Sequence, residues 1–251
     1  MKHLLAILSF YLFGPPRWDR CTKASCWDGP NAQKRMMNIL SPHFPDAVFK
    51  ERVKWAESRG CNTLHLFLVN LGDGEGAGFR VDDPATAKTM LRRVVWARKR
   101  GMAVVLWLIA DDSSAWAKEL FGNPDKFIGA AKPILKHAST VVLGLEMGEY
   151  GKNADWQRVK GALRKVYFGK IGTHHNSGRY DFAGLGDIVF AQCEPPKPKE
   201  DVSVGISRVE LAMKAAKAAG KPVNFFELDR HPNRELAQAA LDAGAFAVGN
   251  W

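Results

Sequence analysis

One unit recurs along this chain: an amphipathic stretch, a glycine, then an apolar run of strand length. It appears at Gly60-Cys61, Gly101-Met102, Gly220-Lys221 and Gly244-Ala245. A glycine after the last helical turn supplies the left-handed residue that closes a helix, and the apolar runs that follow suit strands. Helical segments alternating with such runs bury their apolar faces as βα units around a parallel sheet.

The strand-like runs are Leu4 to Leu12, Thr63 to Val69, Ala103 to Ile109, Val141 to Glu146, Lys170 to Thr173, Asp187 to Gln192, Pro222 to Glu227 and Phe246 to Trp251. Helical patterns cover Asp46 to Arg59, Pro84 to Arg100, Pro124 to His137, Asp155 to Tyr167, Val204 to Ala219 and Arg234 to Ala243. With 251 residues, this order predicts an α/β protein in which one (β/α)8 TIM barrel domain spans 1–251. The chain stops at Trp251, so the eighth outer helix is expected to be missing. A partner subunit, a further domain or the long first loop, Gly14 to Pro45, would then cover the flank of the last strand. An open doubly wound sheet would carry a phosphate-binding glycine fingerprint after its first strand. Gly14-Pro15-Pro16-Arg17 lacks that spacing, and the glycine-rich stretch Gly72 to Phe79 runs on to Pro84, so it reads as a surface loop.

Lys and Arg outnumber Asp and Glu by 36 to 26, a formal charge of +10. The excess falls on helical stretches such as Lys88 to Arg100 and Arg158 to Lys165 and reads as solvated helix faces; an anionic polysaccharide, a membrane surface or nucleic acid are the acidic partners it would attract. No basic run interleaves with aromatics as a nucleic-acid surface would require. The N-terminal MKHLLAILSFYLFG is either a signal peptide or the first strand; without a small-residue cleavage site it reads as the strand, and compartment stays open between cytoplasm and secretion. No other apolar run approaches a membrane span. The four cysteines fit neither a zinc pattern nor C-x-x-C, and no H-x-H or H-E-x-x-H is present, so no metal or other cofactor is expected.

Chemistry in such a barrel gathers at the C-terminal strand ends. Those ends offer Asn70, Asp111, Glu146 and Glu149, His174, His175 and Asn176, Gln192 and Glu194, and Glu227. Adjacent residues on a strand point to opposite faces, so only one of His174 and His175 can face a site. Trp18, Trp27, Trp107, Trp116 and Trp251 lie on or beyond strand ends, where indole faces can stack on sugar rings. Two carboxylates on strands four and seven look across the barrel mouth, as glycosidic cleavage needs: one protonates the departing oxygen while the other attacks the anomeric carbon.

Three segments carry a family resemblance: VVLGLEMGEYGKNADWQRV (Val141 to Val159), KPVNFFELD (Lys221 to Asp229) and the terminal AVGNW. Together with the strand order they resemble the clan A glycoside hydrolases, retaining (β/α)8 enzymes with glutamates at the ends of strands four and seven. The resemblance implies Glu227 as nucleophile and Trp251 as the aromatic floor of the site. It implies Glu146 or Glu149 as acid/base: the Gly-x-Glu arrangement is similar to the β-mannanase and galactanase branches and favours Glu146, while the cellulase pattern favours Glu149. The family carries Asn before this glutamate, where Leu145 and Gly148 stand here. The implied activity is hydrolysis of a β-linked poly- or oligosaccharide with retention. The alternative, motivated by the absent Asn, is a carbohydrate-binding barrel without catalysis; a third is metal chemistry through Asp111, His174 or His175.

Overall fold

The computed structural model describes residues 41–58, 61–72, 77–110, 114–176, 180–192, 202–227 and 234–248. Its elements are α1 (Asp46–Ser58), β1 (Thr63–Phe67), β2 (Val69–Asn70), β3 (Phe79–Arg80), α2 (Pro84–Lys99), β4 (Ala103–Trp107), α3 (Ser114–Gly122), α4 (Pro124–Leu135), β5 (Thr140–Val142), α5 (Met147–Tyr150), α6 (Asn153–Arg164), β6 (Lys170–His175), β7 (Ile188–Gln192), α7 (Val202–Ala218), β8 (Val223–Glu227), α8 (Arg234–Asp242) and β9 (Ala247–Val248).

Seven strands form one parallel sheet in the order β1-β4-β5-β6-β7-β8-β9, so each new main strand joins beside the one before it. That is the winding of a barrel rather than of a doubly wound sheet, which reverses at a switch point. Side-chain packing shows that the sheet curls. Trp107 on β4 and Phe190 on β7 are three strand spacings apart along the sheet, about 14 Å if it were flat. Their ring centroids are 5.3 Å apart. His65 on β1 lies 6.0 Å from the same Phe190. The fold is that of a partial (β/α)8 barrel, and the expected first strand, Leu4 to Leu12, lies outside the described residues.

Alternation along the strands sorts residues into two layers. Phe67, Val105, Trp107, Val142, Ile188 and Phe190 pack inside the curl. Leu64, Leu66, Val104, Leu106, Val141 and Ile171 face α1, α2, α4 and α6. On the far side Val189, Ala191, Val223, Phe225 and Val248 pack against α7 and α8. Both faces are buried, which is why these strands read as nearly continuous apolar runs.

Helix starts follow their caps: the Asp83 carboxylate accepts from the Thr86 N–H ahead of Pro84, and the Asn123 amide oxygen accepts from Lys126 N–H ahead of Pro124. The stretch 41–45 before α1 is moored by buried Arg93, whose guanidinium donates to the carbonyls of Ser41 (2.6 Å) and Phe44 and pairs with Asp46 at 2.9 Å. Hydrogen bonds from Arg92 and Arg93 hold the Asp46 carboxyl down to about 2. No helix among the described residues is long and apolar enough to cross a membrane.

Three expectations are corrected here. The run from Thr63 to Val69 divides: β1 stays in the sheet, while β2 turns away and pairs antiparallel with β3 in a two-stranded ribbon. The ladder of the fourth expected strand stops at Val142 instead of reaching Glu146. Two residues on, Gly144 lies against the indole of Trp156, where an added Cβ would stand 2.7 Å from the ring. Helices α3 and α5 have no counterpart in the sequence reading. Trp116, expected near a strand end, lies buried in α3 against Phe127, with the Arg80 guanidinium 4.2 Å over its ring.

Candidate active site

Parallel register brings the C-terminal ends of β4 through β8 to one rim, and pairing parity decides which residues can reach the interior. On β7, Ile188 and Phe190 face inward and Val189 and Ala191 face the helices. Strand β8 follows in step, with Val189 opposite Val223, Phe190 opposite Asn224 and Ala191 opposite Phe225. Strict alternation would then put residue 227 in the outer row with Val223 and Phe225. The next pairing is Gln192 with Glu227, so β8 carries one extra residue, Phe226, as a bulge does. Glu227 thereby takes a register position in the inner row, at the rim.

Glu146 closes the short connection after β5. It is the only non-glycine among the described residues with positive φ, at 44° with ψ 51°. A left-handed L-residue costs roughly 1–2 kcal/mol and persists where its surroundings over-determine it. Three contacts do so. Its backbone N–H donates to His174 Nδ1 at 2.9 Å, its carbonyl accepts from Glu149 N–H at 2.8 Å, and the Leu145 N–H before it donates to the Ile109 carbonyl at 3.1 Å. One residue on, the Met147 carbonyl accepts from the Trp156 indole at 3.0 Å. Glu146 is half-buried. Glu149, in the exposed first turn of α5, accepts from the Asn176 side-chain amide at 2.9 Å.

The two adjacent histidines part as strand geometry requires. His174 is wholly buried and points inward, its ring edge-on to Trp107 at 5.3 Å. His175 points to the outer layer, packs by Tyr180 and Phe182, and shares a 3.1 Å hydrogen bond with the Thr173 hydroxyl. Trp107 in turn donates its indole N–H to His65 Nδ1 at 3.1 Å. Both inner histidines accept through Nδ1, which leaves their ring proton on Nε2. Burial pushes His65 down to about 3, and burial together with the neighbouring His175 pushes His174 well below the ordinary imidazole value.

These depressed values make stability depend on pH with a definite sign. Below about pH 6.5 the unfolded chain takes up protons that the native histidines refuse, so stability is lost as pH falls. His174 and His65 both contribute to that loss. Urea midpoints measured between about pH 7 and pH 5 should fall, and His174→Asn should flatten the dependence. A flat wild-type profile would show that the imidazoles are not buried neutral.

The structure revises several sequence assignments. Trp107 is fully enclosed by His65, Phe67, His174 and Phe190 and has no face to offer a sugar. His175 faces away from the interior. Asn70 is buried in the β2–β3 turn, its side-chain oxygen accepting from the Gly72 N–H at 3.1 Å. Gln192 and Asn176 do sit at the rim. Trp18, Trp27, Asp111, Glu194 and Trp251 lie outside the described residues. Leu145, where the resembled family has Asn, is buried in the inner cluster. His65 and Trp156 were missed as supports of the site; the position of His65 between Leu64 and Leu66 was the available signal, since it shares the parity of Phe67. Among the described residues, no three of His, Cys, Asp and Glu gather as a metal-holding group.

No family model and no curated protein matches this chain. Solved structures match its fold. A GH113 β-1,4-mannanase in complex superposes with a TM-score of 0.58 at 15% identity, over 80% of this chain and 81% of that one. The GH113 β-mannanase of Alicyclobacillus acidocaldarius gives 0.58 at 17% identity, over 90% and 82%. The GH53 catalytic domain of Ignisphaera aggregans gives 0.56 at 15%, over 79% and 76%. At such identity the likeness establishes the fold, the barrel shared by these clan A glycoside hydrolases.

Proposed function

We propose that this chain is a retaining glycoside hydrolase acting on β-linked poly- or oligosaccharides, with Glu227 as nucleophile and Glu146 as acid, then base. The observation that carries the reading is the pairing slip at Phe226, which takes Glu227 out of the outer row and into the inner row at the rim. Glu146 is preferred to Glu149 because its backbone is fixed from three sides in a left-handed turn, whereas Glu149 lies exposed on α5 and bonded to Asn176. Strands β5 and β8 are three places apart in a sheet that curls, so their ends look toward each other across the mouth.

In the first step Glu227 attacks the anomeric carbon while Glu146 gives its proton to the departing glycosidic oxygen. In the second, Glu146 takes a proton from water, whose oxygen displaces Glu227 from the sugar. Two inversions restore the starting configuration. Retention requires the carboxyl groups to stand about 5–5.5 Å apart, and a gap of roughly 6.5–9.5 Å would mean inversion.

Fold neighbours that act on β-1,4-mannan make mannan the first substrate to try, and the charge of +10 adds anionic β-glycans to the panel. Reducing-end release with proton NMR of the first-formed anomer should give a β product. An α product would replace the nucleophilic role of Glu227 with that of a base. Glycan binding without any release would instead support the binding-only barrel, for which buried Leu145 in place of Asn is the favouring observation.

A further inference from the structure

We propose that His174 is a positioning residue that sets the proton-transfer geometry of Glu146 through its backbone, an inference resting on the glycosidase reading above. Glu146 sits in a conformation that its own side chain disfavours, and His174 Nδ1 accepts the N–H of that same residue at 2.9 Å. The imidazole can hold that N–H in place because it cannot move: it is wholly buried, and its edge abuts Trp107 at 5.3 Å. Trp107 is itself pinned by its indole N–H to His65. A line of contacts thus runs from β1 through β4 and β6 to the turn that carries the acid/base. The task is acceptor chemistry at one nitrogen, not bulk.

That distinction sets the test. His174→Phe keeps an aromatic ring beside Trp107 and removes the acceptor, while His174→Asn returns a carbonyl oxygen near the place of Nδ1. Each variant is assayed on the β-1,4-mannooligosaccharide, or whichever oligosaccharide the wild type cleaves, and on the matching 2,4-dinitrophenyl glycoside, whose leaving group departs without a proton. A displaced acid should lower kcat/KM on the oligosaccharide by on the order of 10²-fold and leave kcat/KM on the activated glycoside, which reports only formation of the glycosyl-enzyme, within a few-fold, while kcat on the activated glycoside falls because Glu146 is also the base of the second step. His174→Asn should recover most of the loss, and Glu146→Gln should show the same selectivity for leaving group.

Equal losses of kcat/KM on both substrates, no loss in His174→Phe, or a failure of His174→Asn to recover would overturn the proposal. Amide hydrogen exchange at Glu146 reads the same bond without turnover: exchange should quicken in His174→Phe and stay slow in His174→Asn. If the wild type cleaves neither substrate, the glycosidase reading fails, yet an unchanged exchange rate in His174→Phe would separately remove the positioning role.

Discussion

Glu227→Gln is expected to end glycan release, lowering kcat by on the order of 10⁴-fold or more. The substitution preserves shape and removes only the charged oxygen that would bond to the anomeric carbon. A neutral amide cannot form the glycosyl-enzyme, and no later step can restore the loss. Glu227 is the last residue of β8 and pairs through its backbone with Gln192, which the substitution leaves unchanged, so the thermal midpoint should stay near wild type. Initial rates and a thermal melt on the same preparation separate the two effects. Residual activity above about a tenth of wild type would exclude Glu227 as nucleophile.

Trp156→Ala carries the largest expected cost in stability, about 3–5 kcal/mol. The indole is wholly buried, packs edge-on to Phe121 at 4.9 Å and fills the space that Gly144 leaves open. Truncation opens a cavity between α6 and the end of β5 and leaves the Met147 carbonyl without its indole donor. Against a total stability of about 5–15 kcal/mol, such a loss approaches unfolding. Urea denaturation measures it, with Trp156→Phe expected to retain more than half by filling most of the cavity. A loss under about 1 kcal/mol in Trp156→Ala would mean that α6 does not brace the site.

The βα alternation was legible because several helices end on a glycine in the left-handed conformation, as at Gly101, Gly220 and Gly244, all with positive φ. Six helices lie within a few residues of their sequence-read bounds. What sequence could not supply is parity. In a sheet buried on both faces, hydrophobicity is the same inside and out, so Trp107 could not be told from a sugar platform, nor could His174 be chosen over His175. The Val141 to Glu146 run overshot because VVLGLE stays apolar after its ladder ends at Val142. Two-residue strands such as β2 and β3 have no period to detect. The motif around Glu146 was readable as a resemblance, but its left-handed backbone and the imidazole holding it belong to tertiary structure.

The extra residue on β8 uncouples two demands on one short strand. Val223 and Phe225 answer to the packing of α7 and α8, and residue 227 answers to the interior. In an unbroken strand these positions would share a face, and any drift in core volume would be transmitted to the carboxylate. With Phe226 inserted, the outer row can follow helix packing while the register position of residue 227 is set separately at the rim. The same insertion makes the arrangement brittle to length: deleting Phe226 would return the glutamate's register position to the outer row.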